Sequence, residues 1–413
     1  MNPQGNVKNL VPSSDAPTTR PRLDSLDLLR GLVVMLMALD HVREFMTMVP
    51  FVPLDPAKTS PSLYLTRWVT HFCAPVFIFL AGTSAFLYQQ RGRSRGEVSR
   101  FLLTRGFWLI VLNFTVVWFL GWSWSFSLKF IEAGVIYAIG VCMVVLAGVI
   151  FLPRRAMAAF ALVQIFGHNL LDGVKPEQFG SGDWFWTLLH VKAGFELGAT
   201  HIDLYYPVIP WMGVMTLGYL FGSILLTPYE TRQRRLLQLG LGALALFFAL
   251  RLTNLYGDLN PWSAQATPLQ TIFSFFNVQK YPPSLDFLLV TLGPAMLALK
   301  WFEQWPDANA RLQAGLRHVL ITFGRVPLFY YLLHLPLCHA LALLASWMTG
   351  RDTAWLFGAF SDDAHLPSTE PGRGFGLPTI YAMWIVALLI LYPVCRWFAA
   401  LKQRRRDPWL SYL

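Results

Sequence analysis

The stretch R-L-D-S-L-D-L-L-R-G-L-V-V-M-L-M-A-L-D-H at residues 22–41, continued by V-R-E-F-M to residue 46, decides how this chain is read. It is apolar between Arg30 and Asp40. As a helix over 26–48 it is long enough to cross a hydrocarbon core, which takes about 20 residues. Yet it carries Asp27, Arg30, Asp40, His41, Arg43 and Glu44. Ionisable groups are expensive inside a bilayer and mark function there. The helix must therefore turn its polar groups to protein or water rather than to lipid.

The rest of the chain supplies that surrounding. Of 413 residues, 55% are hydrophobic and 14% charged, against about 25% charged in an ordinary globular domain. One soluble core cannot hide so much apolar surface. The apolar residues form long blocks, which predict spans at 26–48, 68–88, 101–121, 130–152, 156–171, 206–226, 235–253, 284–302, 319–347 and 375–398. The fifth is short, and the ninth is long enough to tilt or break. The expected fold is an all-α polytopic membrane bundle of about ten helices. Residues 1–22 read as a disordered cytoplasmic tail, 23–400 as one transmembrane domain and 401–413 as a basic cytoplasmic tail.

Positive charge assigns the sides. With the N-terminus inside, Arg91, Arg93, Arg95, Arg154, Arg155, Arg232, Arg234, Arg235 and the C-terminal arginines all fall inside. Inside Lys and Arg outnumber outside ones by about two to one, as cytoplasmic loops require. Both ends then lie in the cytoplasm. The net charge of +10 is accounted for by these loops, and no nucleic-acid partner is expected. Cys73, Cys142, Cys338 and Cys395 show neither metal nor disulfide spacing, and no metal is expected.

The outside loops, near 49–67, 172–205, 254–283 and 348–374, are longer and carry Tyr64, Trp68, Trp184, Trp186, Tyr205, Tyr206, Trp262 and Tyr281. These aromatics form either an interfacial belt against membrane lipids or the lining of a site for a sugar.

Depth selects the candidate residues. Asp40 and His41 lie about 20 Å from the inner end of the first span. His71 lies just inside the outer end of the second span, and His334 in the outer half of the ninth. All four could meet at one level. A carboxylate, Asp40 or Glu44, beside an imidazole suits a general base; interhelical hydrogen bonding is the structural alternative. At the inner end stand Arg30 and Arg325, suited to phosphate through their planar guanidinium forks or to snorkelling toward headgroups. Gly324, Pro327, Gly293 and Pro294 suggest irregular backbone, tolerated in a bilayer where protein or water covers it.

Several segments then form a pattern. Residues 22–41, A-P-V-F-I-F-L-A-G-T-S at 74–84, Y-P-V-I-P-W-M-G-V-M at 206–215, K-Y-P-P-S-L at 280–285, G-R-V-P-L-F-Y-Y-L-L-H at 324–334 and W-L-S-Y-L at 409–413 resemble the heparan-alpha-glucosaminide N-acetyltransferase catalytic domain family, including its bacterial branch. The resemblance implies acyl transfer across the membrane: acetyl from cytoplasmic acetyl-CoA, as co-substrate, to a sugar or glycan acceptor outside. It also implies a bacterial cytoplasmic (inner) membrane. The family's characterised member is thought to use a histidine in an H-x-x-W-N-G pattern after its first span. Loop 49–67 here has no histidine, so that role is not carried over. His41 is the first candidate base, with His334 and His71 behind it, and Arg30 and Arg325 near the acyl-CoA phosphates.

A second class stays open. Intramembrane Asp and His also suit a proton-coupled transporter of a small polar solute. The sequence is compatible with a homo-oligomer under either reading.

Overall fold

The computed structural model describes residues 23–305, 311–357, 373–405, 407, 409 and 410. The expected tail 1–22, part of the 348–374 loop and the end of W-L-S-Y-L lie outside the described residues. In chain order come α1 (Asp24–Met46), α2 (Pro61–Trp68), α3 (Cys73–Gln89) and α4 (Arg95–Leu112). Then follow α5 (Val135–Val149), α6 (Arg154–Gly167), α7 (Asp183–Leu189), α8 (Val208–Phe221) and α9 (Tyr229–Thr253). The last are α10 (Pro268–Phe276), α11 (Leu285–Gln304), α12 (Arg311–Arg325), α13 (Pro327–Met348) and α14 (Leu377–Arg404).

Helix α1 is the hub of the bundle. It packs against α3, α11, α12, α13 and α14, and its Leu28, Val34, Ala38 and Val42 are completely buried. That wrapping is what lets a charged helix stand at the centre. Contact with α12 is backbone to backbone: a Cβ on Gly31 would fall 1.9 Å from the Leu320 carbonyl oxygen, and one on Gly324 1.8 Å from that of Asp27. Small residues at such crossings let membrane helices approach closely. Helices α9 and α14 are the reverse case. Only 22% of their apolar windows is buried, and Leu237, Leu241, Phe248, Ile385, Leu389 and Trp397 point outward.

Among the described residues, seven helices are long and apolar enough to cross a membrane, or eight if the bent pair Arg154–Leu171 and Pro176–Leu189 counts as one span. Helix α1 is not one of the seven, because its charges disqualify it. Helix α5, with 15 residues, is short. The expected ninth span is broken, as its length suggested. Val326 leaves helical geometry (φ −132°, ψ 49°) between Arg325 and Pro327. Proline suits the first turn of a helix, where its missing N–H costs nothing, so α13 starts there. Helix α14 runs on to Arg404, four residues into the segment expected as a tail.

One expectation needs correction. The chain is not purely α-helical: β1 (Phe130–Ala133), β2 (Ala193–Leu197) and β3 (Thr200–Leu204) form a sheet in the order β1-β3-β2. Strands β1 and β3 are parallel, Phe130 opposite His201, while β2 and β3 form a hairpin. The expected fourth span, 130–152, therefore begins as a strand, with its helix starting at Val135. Phe-Ile-Glu-Ala is apolar enough to merge with the helix in a hydropathy window, and four residues show no period of their own. Helix winding adds a feature that the apolar run does not show. Residues Asn113–Ser123 continue α4 as a π-helix and stop at Trp124 in left-handed conformation (φ 42°). Wide π turns in a membrane helix often accompany functional sites.

Candidate active site

The structure brings His41 and His334 together. His41 Nδ1 lies 2.6 Å from His334 Nε2, and the rings stack with centroids 4.9 Å apart. His334 is fully buried on α13, while His41 on α1 is half-buried. The hydrogen bonds fix the tautomers. His334 Nδ1 lies 2.7 Å from the Tyr331 carbonyl and 3.2 Å from that of Tyr330. Carbonyls only accept, so His334 Nδ1 carries the proton and Nε2 of the neutral ring is an acceptor. His41 Nδ1 must then donate to it, which leaves the lone pair of neutral His41 on Nε2. A backbone carbonyl, a buried histidine and a half-buried histidine thus form one chain, with a basic nitrogen at its end. The Trp122 ring meets His41 edge-on at 5.2 Å.

The expected carboxylate partner is elsewhere. Asp40 accepts from Arg43 at 3.0 Å through Oδ1 and from Arg67 at 3.3 Å through Oδ2. Arg67 in turn donates to Thr70 Oγ1 at 2.7 Å. No hydrogen bond joins Asp40 to His41. Adjacent residues on a helix diverge by about 100°, so Asp40 and His41 cannot both face α13. Glu44, one turn further, is half-buried within electrostatic reach of Asp40, Arg43 and Arg67. His71 does not join the pair either. It is buried edge-on against Phe287 at 5.2 Å and near Trp68 at 6.4 Å, and its Nδ1 has no partner. Depth alone placed it with His41; lateral packing separates them.

Arg30 and Arg325 do share a site. Both line one cavity of about 1510 Å³, together with Asp27, Ser84, Arg91, Arg105, Arg232 and Lys402. Arg30 donates to Asp27 at 3.2 Å and to Ser84. Arg325 lies 3.9 Å from Asp27 and 4.0 Å from Asp24. Arg232 is held by Glu303 at 2.8 Å. The deeper wall is apolar: Phe77, Leu80, Leu109, Val135, Ile139 and Met143. The wall also includes Met37 and Tyr331. Met37 is one helical turn before His41, and the Tyr331 ring packs on His334 at 5.2 Å. The cavity therefore extends from a cationic mouth to within a side chain of the histidine pair. The cations suit a polyanionic group, and the apolar walls suit a long uncharged arm.

Aromatics and charges from the loops form a second cluster within electrostatic reach of Tyr331. Tyr281 packs edge-on against Tyr205 at 5.5 Å and Tyr206 at 5.1 Å, and the Tyr206 and Tyr281 hydroxyls lie 3.4 Å apart. Lys192 Nζ sits 3.7 Å over the Tyr205 ring. Glu132 of β1 faces the same region, and burial, with Glu44 and Asp203 nearby, pushes its carboxyl up to about 8. Trp68 and Tyr64, by contrast, are structural: Trp68 Nε1 donates to the Phe276 carbonyl at 3.0 Å and Tyr64 Oη to that of Phe273 at 2.8 Å.

Sequence reasoning missed Trp122, the Arg67–Asp40 bond and the part played by Tyr331. For Tyr331 a signal existed, since it lies three residues before His334. Trp122 and Arg67 come from distant segments and gave none.

The comparison with protein families is specific. A model described as "Heparan-alpha-glucosaminide N-acetyltransferase, catalytic" matches residues 22–251, more than half of the chain and including all of α1. No curated protein matches the chain. The chain belongs to the heparan-alpha-glucosaminide N-acetyltransferase catalytic family, and it is an integral membrane protein.

Proposed function

We propose, taking membership of that family as the premise, that this chain is a membrane acyltransferase. It takes an acyl group, acetyl in the first instance, from cytoplasmic acyl-CoA and delivers it to an amine or hydroxyl of a sugar or glycan entering from the opposite side. The arginine-rich mouth is then cytoplasmic and the sheet face extracytoplasmic, in the cytoplasmic membrane of a bacterium. One observation carries the reading: a single cavity extends from Arg30 and Arg325 to Met37 and Tyr331, against the His41–His334 pair.

The chemistry follows from the tautomers. Phosphates of acyl-CoA rest among Arg30, Arg325 and Arg91, where charge-assisted bonds are strong. Eleven residues separate Arg30 from His41, about 16 Å of helix rise, a gap the extended arm of the co-substrate spans. The thioester carbonyl arrives beside His41. His41 Nε2 takes the proton of the acceptor amine or hydroxyl as that atom attacks the carbonyl carbon. The C–S bond breaks, and the proton passes from His41 to the departing thiolate. While His41 is cationic, His334 Nε2 accepts the hydrogen bond from its Nδ1–H, stabilising the charge as a carboxylate would in other sites. Tyr205, Tyr206, Tyr281 and Lys192 offer ring faces and a cation to the acceptor.

The test uses the full-length protein in detergent with labelled acetyl-CoA and a glucosamine-type acceptor. The expected result is release of free CoA with label on the acceptor, lost in His41→Ala while acetyl-CoA binding persists. Protein that neither binds nor cleaves acetyl-CoA would sink the proposal. Proton-driven solute uptake into proteoliposomes without CoA release would replace it with the transporter reading.

A further inference from the structure

We propose that His168, Asp172 and His190 form a binding site for a divalent transition metal, Zn²⁺ by ligand type, which staples the sharp bend between α6 and α7. One donor atom from each of the three residues lies within 4.8 Å of the others. His190 Nε2 is 3.1 Å from Asp172 Oδ1. Metal–ligand bonds of about 2.0–2.2 Å at a tetrahedral centre put donors roughly 3.4 Å apart, so that edge is already at coordination distance. The other edges lie within 4.8 Å and shorten on coordination.

The independent observation is the state of the imidazoles. His168 and His190 are each 1% exposed. Neither nitrogen of His168 has a hydrogen-bond partner, and neither does Nδ1 of His190. A buried polar atom without a partner is rare and calls for an explanation. Two imidazoles facing one carboxylate, with nitrogens to spare, are explained by an ion between them. Outer support is present too. Asn169 Nδ2 donates to Asp172 Oδ2 at 2.8 Å, the oxygen that His190 does not use, and Asn169 Oδ1 accepts from the Leu285 amide at 3.0 Å. Such second contacts orient ligating carboxylates. Imidazole and carboxylate donors together suit Zn²⁺ better than Ca²⁺ or Mg²⁺, which prefer oxygen.

The location gives the site a purpose. His168 and Asp172 are four apart where α6 tightens into a short 3₁₀ turn (His168–Leu171), and His190 follows α7 immediately. The two segments meet at 107°. Joining them fixes the start of β2 (Ala193–Leu197), whose hairpin partner β3 leads into Tyr205 and Tyr206 of the acceptor wall. The metal is structural in this proposal and takes no part in acyl transfer. Sequence spacing pointed away from metal because its cysteines lack a pattern; the actual ligands are a His-x-x-x-Asp pair and a histidine 18 residues later.

The experiment uses full-length protein purified without a histidine tag, stripped with a chelator, dialysed against Zn²⁺ and washed. Elemental analysis should find about one Zn²⁺ per chain, falling to near zero in His168→Ala and in Asp172→Asn. His41→Ala should keep the full amount, which separates this site from the histidine pair. Because the variants could misfold, Co²⁺ is substituted into the wild-type protein; a visible absorption band of tetrahedral type should appear and be displaced by Zn²⁺. Wild-type protein with no Zn²⁺ above the chelated control and no cobalt band overturns the proposal. So does a stoichiometry unchanged in folded His168→Ala.

Discussion

The two ends of α1 carry similar residues in opposite states. At the arginine end, Asp27, Arg30 and Arg325 line the wall of an open cavity, with Arg325 31% exposed and its carboxylate contacts stretched to 3.9 and 4.0 Å. At the sheet end, Asp40 is locked by Arg43 and Arg67 at 3.0 and 3.3 Å, with every partner largely buried. A loosely held cation such as Arg325 can exchange an internal carboxylate for a ligand's phosphate. Tightly paired ions cannot, and they hold geometry. The lesson is that charge in a membrane helix has two uses, one for binding and one for scaffolding. The neutral His41–His334 chain, one residue from the scaffold and one turn from the cavity, is left for chemistry.

The hardest test of that division is His41→Ala. If the histidine chain supplies the base, transfer should fall by roughly 10²–10⁴-fold, with acetyl-CoA binding by calorimetry unchanged. His334→Ala should cost less, because His41 keeps its basic nitrogen and loses only the acceptor behind it. Equal activity in His41→Ala and wild type would move the chemistry elsewhere.

Next comes Asp40→Asn. Under the scaffold reading it leaves two buried guanidinium groups unpaired, a loss of about 3–5 kcal/mol, seen as a large drop in thermal stability in detergent. The surviving folded fraction should still transfer the acyl group, since Asp40 makes its hydrogen bonds to Arg43 and Arg67 and not to His41. Loss of transfer in stable protein would restore Asp40 as a partner of the base. Arg325→Gln should do the opposite: stability close to wild type, and KM for acetyl-CoA raised about tenfold with little change in kcat, about 1.4 kcal/mol of uniform binding. A KM that does not move would remove the phosphates from this mouth.

These contrasts also mark what the sequence disclosed. Hydropathy located the helices because each apolar block is a physical requirement of crossing lipid. Depth along α1 and α13 singled out His41 and His334 correctly as residues at one level, since helix rise is fixed. It failed for His71 because a rise says nothing about which helices touch. The partners of Asp40 were hidden for the same reason: Arg67 reaches it across a loop of the bundle, and Arg43 was read only as one more charge. The sheet was illegible because Phe130–Ala133 is too short to show a period beside the apolar run of α5. The cavity was foreshadowed by Arg30 and Arg325, yet its extent depends on Leu80, Leu109 and Ile139, which look like any lipid-facing residue in the sequence.

The smallest effect concerns Glu132, a carboxyl at the sheet end with no salt bridge among the described residues. Glu132 sits on β1 outside the spanning helices, and burial, then Glu44 and Asp203, raise its carboxyl from 4.5 to about 8. The sign follows from proton linkage. The folded protein holds this proton more tightly than the unfolded chain does, so folding is favoured most below about 4.5 and the advantage is lost as pH rises through about 8. Thermal stability of the wild type should therefore decline steadily between those limits. In Glu132→Gln, which keeps the neutral shape at every pH, the decline should be shallower. The comparison is sharpest against Asp40→Asn, whose loss comes from two buried guanidinium groups left without their carboxylate. Parallel stability curves for wild type and Glu132→Gln would mean that Glu132 is charged at neutral pH, and that the sheet end carries one more ion than its arginines can hold.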